Sequence, residues 1–426
     1  MGVAESITHA AVARPSGRLG PLGVEAPDED GFTLALAAAE ALPWPEGSSG
    51  VHRLDLVGDI PAEAEWALPE ALDLGEVTVH RSPGGSAALF EALRARAGPA
   101  FVGCRLVLAV DRARIGRPEG ASHGALALAF LLTEGEGLRI DAMSTQVPSP
   151  RRGPAEEAHA THREDPNARP TPLLLLGDEA LVAAATRRAP GLGFDPLPAP
   201  PPPPGLGPAP TTLVGLALRL AYGVAGTPIE LGLWVLTPGR EVRVRATSLG
   251  TVSWSEAPTP APLPLATPPI SGDDTAPDAR AEGAYVPKAR YLENLPSRWR
   301  LVAARCAHCS HLTFPARGAC GNCGRSDGIE AVSLARDGWT VEAVTTVRPG
   351  AQPTEFDLYA KAVGGYDVVI ARSREGPRGT FQVAGPAATA HIGDALHLPL
   401  RRLYPIEGEW RYGRKAAPIA SRPRVG

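Results

Sequence analysis

The chain has 426 residues, 44% of them apolar and 21% charged, with a formal net charge of −4. That balance is ordinary for a soluble globular protein of two or three domains, and it lacks the clustered cationic face that general nucleic-acid binding requires. Five cysteines are too few for a disulfide framework and no apolar run is long enough to span a bilayer, so a cytoplasmic protein without membrane or nucleic-acid partners is expected.

In chain order, the first clear element follows the cluster Asp28, Glu29 and Asp30. GFTLALAAAEALP, residues 31–43, reads as an alanine-rich helix capped by that cluster. A second helix is predicted at GSAALFEALRARAG, residues 85–98. Continuous or alternating apolar runs bounded by Gly, Pro and Asp predict strands at CRLVLAVD, GALALAFLLTE, TPLLLLGD, ELGLWVLTPG and EVRVRATSLG, as in a sheet covered by helices. Cys104 lies inside the first of these runs and reads as a core thiol. His123 reads as a polar residue entering a strand. His159 and His162, with Glu156, Glu157, Glu164 and Asp165, sit in a Pro-rich stretch that reads as a solvated loop. The run from Pro196 to Pro210 cannot be helix and is read as a remodelled loop, after which TTLVGLALRLAYGVA predicts one more apolar helix.

Proline then sets the main boundary. The stretch from Ala257 to Asp278 has little periodicity and reads as an extended linker. The expected organisation is an α/β domain over 1–255, a linker over 256–284, a helical lead-in with a metal ribbon over 285–330, a small all-β barrel over 331–418 and a tail over 419–426. The lead-in shows Tyr291, Leu292, Leu295 and Trp299 at helical spacing, and the barrel strands are DGWTVEAVTTVRP, YDVVIARSR, GTFQVAG and DALHLPLRRLY.

Cys306, Cys309, Cys320 and Cys323 form a C-x2-C-x10-C-x2-C array. Four thiolates at that spacing close a tetrahedral zinc site, and a full set of protein ligands leaves no position for water or substrate, so structural zinc is expected. His308 and His311 lie near enough in sequence to be alternative ligands. Further on, Arg401, Arg402, Arg411, Arg414 and Lys415 are a candidate patch, Arg411, Arg414 and Lys415 above all, for a ligand phosphate, which the resemblances below make that of CoA, or for an acidic partner; the other reading is a solvated surface.

Two resemblances follow from these residues. The succession DEDGFTLALAAAEAL, SPGGSAALFEAL, CRLVLAVDRAR and GALALAFLL resembles the thiolase superfamily, closest to its hydroxymethylglutaryl-CoA synthase branch, over roughly residues 1–255. That resemblance implies a layered α/β fold of two repeats, here truncated. It also implies a cysteine nucleophile in a segment like CKAGTAAL, where this chain has SPGGSAAL with Ser82 at the cysteine position. The histidine that the family places before a later helix is replaced by GLGPAP, so the implied catalytic set is empty. The array within FPARGACGNCG, followed by the barrel and RYGRKAAP, resembles the acyl-CoA-associated family that joins a rubredoxin-like zinc ribbon to an OB-fold, over roughly residues 285–418. Members of that family accompany thiolase-fold enzymes and lack catalytic residues of their own.

The resemblances together imply a pseudoenzyme domain fused to a scaffold module: a non-catalytic accessory subunit that binds and organises a thiolase-fold partner, with a CoA thioester as a ligand. One alternative is a divergent thiolase-like acyltransferase using Ser82 or Cys104, which would need a base. A second is single-stranded nucleic-acid binding by the OB-fold, which calls for aromatic platforms interleaved with basic residues.

Overall fold

The structure, a computed structural model, describes residues 5–15, 17–19, 22–44, 50–82, 84, 86–94, 103–112, 125–134, 137–146, 171–177, 179–188, 190, 194–197, 229–237, 240–249, 252–258, 263–264, 286–406 and 408–419. His123, His159, His162, residues 198–210 of the predicted loop, the helix predicted at 211–225 and most of the linker lie outside the described residues, whereas Pro196 and Leu197, read as the start of that loop, end the strand Phe194–Leu197. The chain forms two compact units that are not successive in sequence. The first comprises Met1–Ala13, Ala38–Ile60 and Leu74–Ala257; the second comprises Arg14–Ala37, Pro61–Asp73 and Pro258–Gly426. A linear division at the linker therefore misses two N-terminal segments that belong with the C-terminal residues.

The sheet of the first unit runs in the order Phe194–Leu197, Thr171–Gly177, Ile229–Thr237, Arg240–Ser248, Leu138–Gln146, Glu5–Ala13, Leu126–Glu134, Cys104–Asp111, Val51–Gly58 and Thr78–Ser82, with Ser253–Glu256 also paired to Glu5–Ala13. Two copies of one pattern are present. Numbering five strands along the chain within each half, both halves have the order 3-2-4-5-1, with strands 2, 3 and 4 parallel and strand 5 antiparallel to its neighbours. Parallel strands are covered on both faces, which is why they read as unbroken apolar runs. Leu106, Val107, Leu108 and Val110 are all fully buried. The helix Ser86–Leu93 covers this region with Leu89, Phe90 and Leu93, packed against Val57, Val107 and Phe130. Each such side chain contributes about 1.5–3 kcal/mol by leaving water. One buried charge group interrupts the apolar sheet: Arg105 pairs with Glu5 at 2.9 Å and approaches Asp55 at 3.8 Å, while Asp55 also holds Arg53 at 2.6 Å. Mutual pairing is what makes charges tolerable there.

In the second unit, two short helices, Lys288–Glu293 and Leu295–Trp299, lead into a three-stranded ribbon of Leu312–Thr313, Val302–Cys306 and Ile329–Ser333. Trp299 anchors the lead-in. Its ring, 1% exposed, meets Tyr291 and Tyr412 edge-on at 6.3 Å, Phe32 at 5.8 Å and Trp66 in a stack at 5.8 Å. Beyond the ribbon, a five-stranded sheet runs Arg378–Gln382, Tyr366–Ser373, Trp339–Val347, Ala395–His397, Ala417–Pro418. A bridge between Val383 and Ala416 joins its two edges, so the sheet closes at that point around Trp339, Val369, Phe381, Val383 and Leu396. A hairpin of Leu400–Ile406 and Glu409–Arg414 stands beside it. Among the described residues no helix is long and apolar enough to cross a membrane.

The basic residues near the end of the chain are not a surface patch. Arg401, Arg402, Arg411, Arg414 and Lys415 are all buried. The three acids of the N-terminal cluster neutralise three of them in register: Lys415 binds Asp28 at 2.8 Å, Arg401 binds Glu29 at 2.7 Å and Arg402 binds Asp30 at 2.7 Å. Arg411 donates to Glu409, and Arg414 donates to the carbonyls of Trp299 and Leu398. Cations spent on internal acceptors are not available to a CoA phosphate or to an external acidic face. Asp30 has a second task. Its Oδ1 accepts the Thr33 amide at 2.8 Å while Thr33 Oγ1 accepts the Asp30 amide, a reciprocal cap for the helix Gly31–Glu40, so the helix begins where the cluster predicts.

Candidate metal centre

The four array cysteines converge from two knuckles of the same construction. In one, Ser310 donates its amide to the Cys306 carbonyl at 2.8 Å, and Cys306 donates to the His311 carbonyl at 3.0 Å. In the other, Gly324 donates to the Cys320 carbonyl at 3.0 Å, and Cys320 donates to the Arg325 carbonyl at 2.8 Å. Both turns close through a left-handed residue after the second cysteine, Ser310 at φ 58° and Gly324 at φ 73°. This geometry aims two pairs of sulfurs at a common centre.

All four Sγ atoms lie within 4.8 Å of one another. Cys306 to Cys323 is 3.7 Å, Cys309 to Cys320 is 3.5 Å and Cys309 to Cys323 is 3.6 Å. A zinc ion bonded tetrahedrally to sulfurs at about 2.3 Å sets neighbouring sulfurs about 3.8 Å apart, so the residues present fit the ion. Amides of Cys323 and Asn322 point at the Cys320 sulfur and hold its thiol below the ordinary range, which favours the thiolate a metal needs. The imidazole of His308 turns instead to Asp327, with Nε2 3.0 Å from Oδ2, and the Arg325 guanidinium binds the same carboxylate. Neither His308 nor His311 belongs to the converging set. Four protein sulfurs leave no vacant coordination position, so such a site holds the ribbon together and performs no chemistry.

The residues considered for catalysis sit elsewhere, in the first unit, and are separated. Ser82 is the last residue of the strand Thr78–Ser82 and pairs with Val57, whereas Cys104 is the first residue of its strand and pairs with Val51. These three strands are parallel, so Ser82 and Cys104 occupy opposite ends of the sheet, roughly 20 Å apart at ~3.3 Å per residue. His80 precedes Ser82 on an exposed strand edge and makes no hydrogen bond to it. Cys104 is half-buried, and burial pushes its thiol up, away from the thiolate that attacks. His52 lies at the Cys104 end of the neighbouring strand; burial and the charges of Arg105 and Arg53 push it below its ordinary value. The turns at the Ser82 end are tight. A Cβ on Gly58 would lie 2.2 Å from the Val110 carbonyl oxygen, and one on Gly84 would lie 3.1 Å from the Gly58 Cα. Sequence reasoning missed the pairing of Asp28, Glu29 and Asp30 with the C-terminal cations; the one signal was that an acidic triplet and a basic cluster of similar size stand at the two ends of the chain.

Residues 296–330 match the family model described as ChsH2, rubredoxin-like zinc ribbon domain. Among solved structures, the chain is similar to PksG, a hydroxymethylglutaryl-CoA synthase from Bacillus subtilis, at 16% identity and a TM-score of 0.41, covering 58% of this chain and 80% of that one. It is similar to smu.943c from Streptococcus mutans UA159 at 13% identity and a TM-score of 0.42, covering 59% and 83% of the two chains. It is also similar to an Ltp2-ChsH2(DUF35) aldolase at 23% identity and a TM-score of 0.24, covering 31% of this chain and 96% of that one. The ribbon that the sequence resembles is the part that the family model matches. The fold class is the expected one: an α/β part of two repeats, a four-cysteine ribbon and a β-rich C-terminal part.

Proposed function

We propose that this chain is a non-catalytic accessory subunit that binds and organises a thiolase-fold enzyme of acyl-CoA condensation or cleavage and shapes the channel for its CoA thioester. The observation that carries this reading is the separation of Ser82 from Cys104. Neither has a histidine bonded to it among the described residues, and a serine without a base is not a competent nucleophile. The ribbon match over residues 296–330 supports the acyl-CoA setting of this reading. In this reading Cys306, Cys309, Cys320 and Cys323 hold a structural zinc ion, and residues 331–418 form an OB-fold whose five strands close at Val383 and Ala416.

The test is turnover. The zinc-loaded chain is assayed for thiol release from acetyl-CoA and acetoacetyl-CoA, alone and together with whatever thiolase-fold enzyme co-purifies from its own cells. The isolated chain is expected to be inactive, and the complex active. Activity of the isolated chain that disappears in Ser82→Ala or Cys104→Ala would make the first unit a divergent acyltransferase and overturn the proposal.

A further inference from the structure

The five-stranded sheet of the second unit closes at one point and is open ahead of it. Val383 donates to the Asp367 carbonyl at 2.8 Å, and the Ala416 amide donates to the Gln382 carbonyl at 2.8 Å, so the seam between the two edges is sealed there. The strand Arg378–Gln382 runs back from this seal and, among the described residues, pairs only with Tyr366–Ser373. Its register fixes which backbone groups are spent. Since Val383 and Asp367 form a hydrogen-bonded pair, alternation makes Phe381 with Val369 and Gly379 with Ala371 hydrogen-bonded pairs as well. Arg378, Thr380 and Gln382 then direct their N–H and C=O groups away from the sheet, and among the described residues only the Gln382 carbonyl is taken up, by Ala416. Beside this edge lies a cavity of about 620 Å³. Leu403 and Gly413 of the neighbouring hairpin line its far side, and Phe314, Phe356 and Ile370 contribute apolar surface. No carboxylate lines it, whereas Arg298, Arg378 and Arg414 do, the last already bonded to the Trp299 and Leu398 carbonyls. Arg378 is bonded to Glu342, and Arg298 makes no ion pair among the described residues, its guanidinium lying 5.8 Å from the Tyr291 ring centre.

We propose that this open seam is a docking site for an extended peptide segment of a partner protein, one that alternates apolar side chains and carries an acidic flank. The segment adds as a further strand along Arg378–Gln382. Its backbone pairs with the outward groups of Thr380 and its neighbours, every second side chain enters the cavity, and the acidic flank meets Arg298. An apolar small molecule would fill the cavity but leave the row of backbone groups unpaired. A single-stranded nucleic acid would need stacking platforms, and Phe381 is spent in the core. This inference does not depend on whether the first unit is catalytic.

The experiment uses the full zinc-loaded chain and fluorescence anisotropy. The probes are a panel of labelled nine-residue peptides that alternate Val, Ile, Leu or Phe with Thr and end in two glutamates, each made also with a lysine flank and with N-methyl groups on alternate residues; oleate and oligo-dT are run as competitors. Saturable binding of the acidic-flank peptides is expected, weakened at least tenfold by N-methylation, by the lysine flank and by raised salt. Thr380→Pro removes one outward N–H and no bond to the neighbouring strand, so it is expected to weaken binding tenfold with zinc content and melting unchanged. Equal binding of the N-methylated peptides overturns the proposal. So does the absence of saturable binding across the panel, or binding of oleate or oligo-dT in its place. Because the N-methyl comparison is made on the unaltered chain, a misfolded Thr380→Pro variant does not blur the result.

Discussion

Ser310 holds a position that its chemical counterpart in the other knuckle gives to glycine. Both Ser310 and Gly324 are left-handed, with φ 58° and 73°, and a residue with a Cβ is disfavoured there by roughly 1–2 kcal/mol. Ser310→Gly is therefore expected to stabilise the zinc-loaded protein by roughly 0.5–1 kcal/mol, less than the full strain because the glycine loses more backbone freedom on folding. Gly324→Ala is expected to destabilise by a similar amount; thermal melts at fixed zinc concentration measure both. The second knuckle was legible because glycine follows Cys323 in the sequence. The strain at Ser310 was not, since serine carries no mark of the conformation it is forced to adopt.

The acidic segment before the first helix shows what pattern reading catches and what it loses. Its capping role is local, involves residues three apart and could be read directly; Asp30 Oδ1 does cap Thr33. Its other oxygen binds Arg402 and Tyr412, 372 and 382 residues away, and no local pattern signals that. The same blindness made a buried cation cluster look like a surface patch. Because Lys415 and Asp28 are a buried pair, Lys415→Met alone is expected to cost about 3–5 kcal/mol by stranding a carboxylate, and Asp28→Asn combined with it should recover more than half of that loss. Denaturant titration of the three variants decides. The pair also has a pH signature. Burial pushes the Lys415 ammonium down to about 8 despite the attraction of Asp28, whereas in the unfolded chain it titrates near ~10.4. Between those values the unfolded state binds more protons, so this residue makes stability rise as pH increases from about 8 to about 10. That rise should be absent from the Lys415→Met/Asp28→Asn variant, as unfolding free energies measured across that range would show.

On the scale of the molecule, the ribbon's metal site governs the second unit. A structural zinc site contributes on the order of 10 kcal/mol to folding, so Cys306→Ser with Cys320→Ser is expected to release zinc and abolish one cooperative transition. Metal analysis and calorimetry would refute this by finding unchanged zinc stoichiometry and an unchanged melt. The two-repeat sheet was partly legible. Its buried parallel strands announced themselves as apolar runs, but Thr78–Ser82, an exposed edge strand of sequence TVHRS that ends at Ser82, had no hydrophobic signal to give and is absent from the predicted strands. The division into units was not legible at all, because a linear reading assigns each residue to its sequence neighbours and cannot see 14–37 and 61–73 joining the C-terminal residues.

That arrangement bears on how the protein is made. Asp28 and Lys415 are separated by 387 residues, and a ribosome adding 5–20 residues each second would deliver the lysine roughly 20–80 s after the aspartate. Throughout that interval the acidic triplet lacks the three cations that neutralise it in the native structure, so the N-terminal stretch reaches its final state only after they have been made. Completion waits for Arg401, Arg402 and Lys415, which makes the synthesis of these cations, and not the emergence of the first half, the event that commits this chain to its native structure.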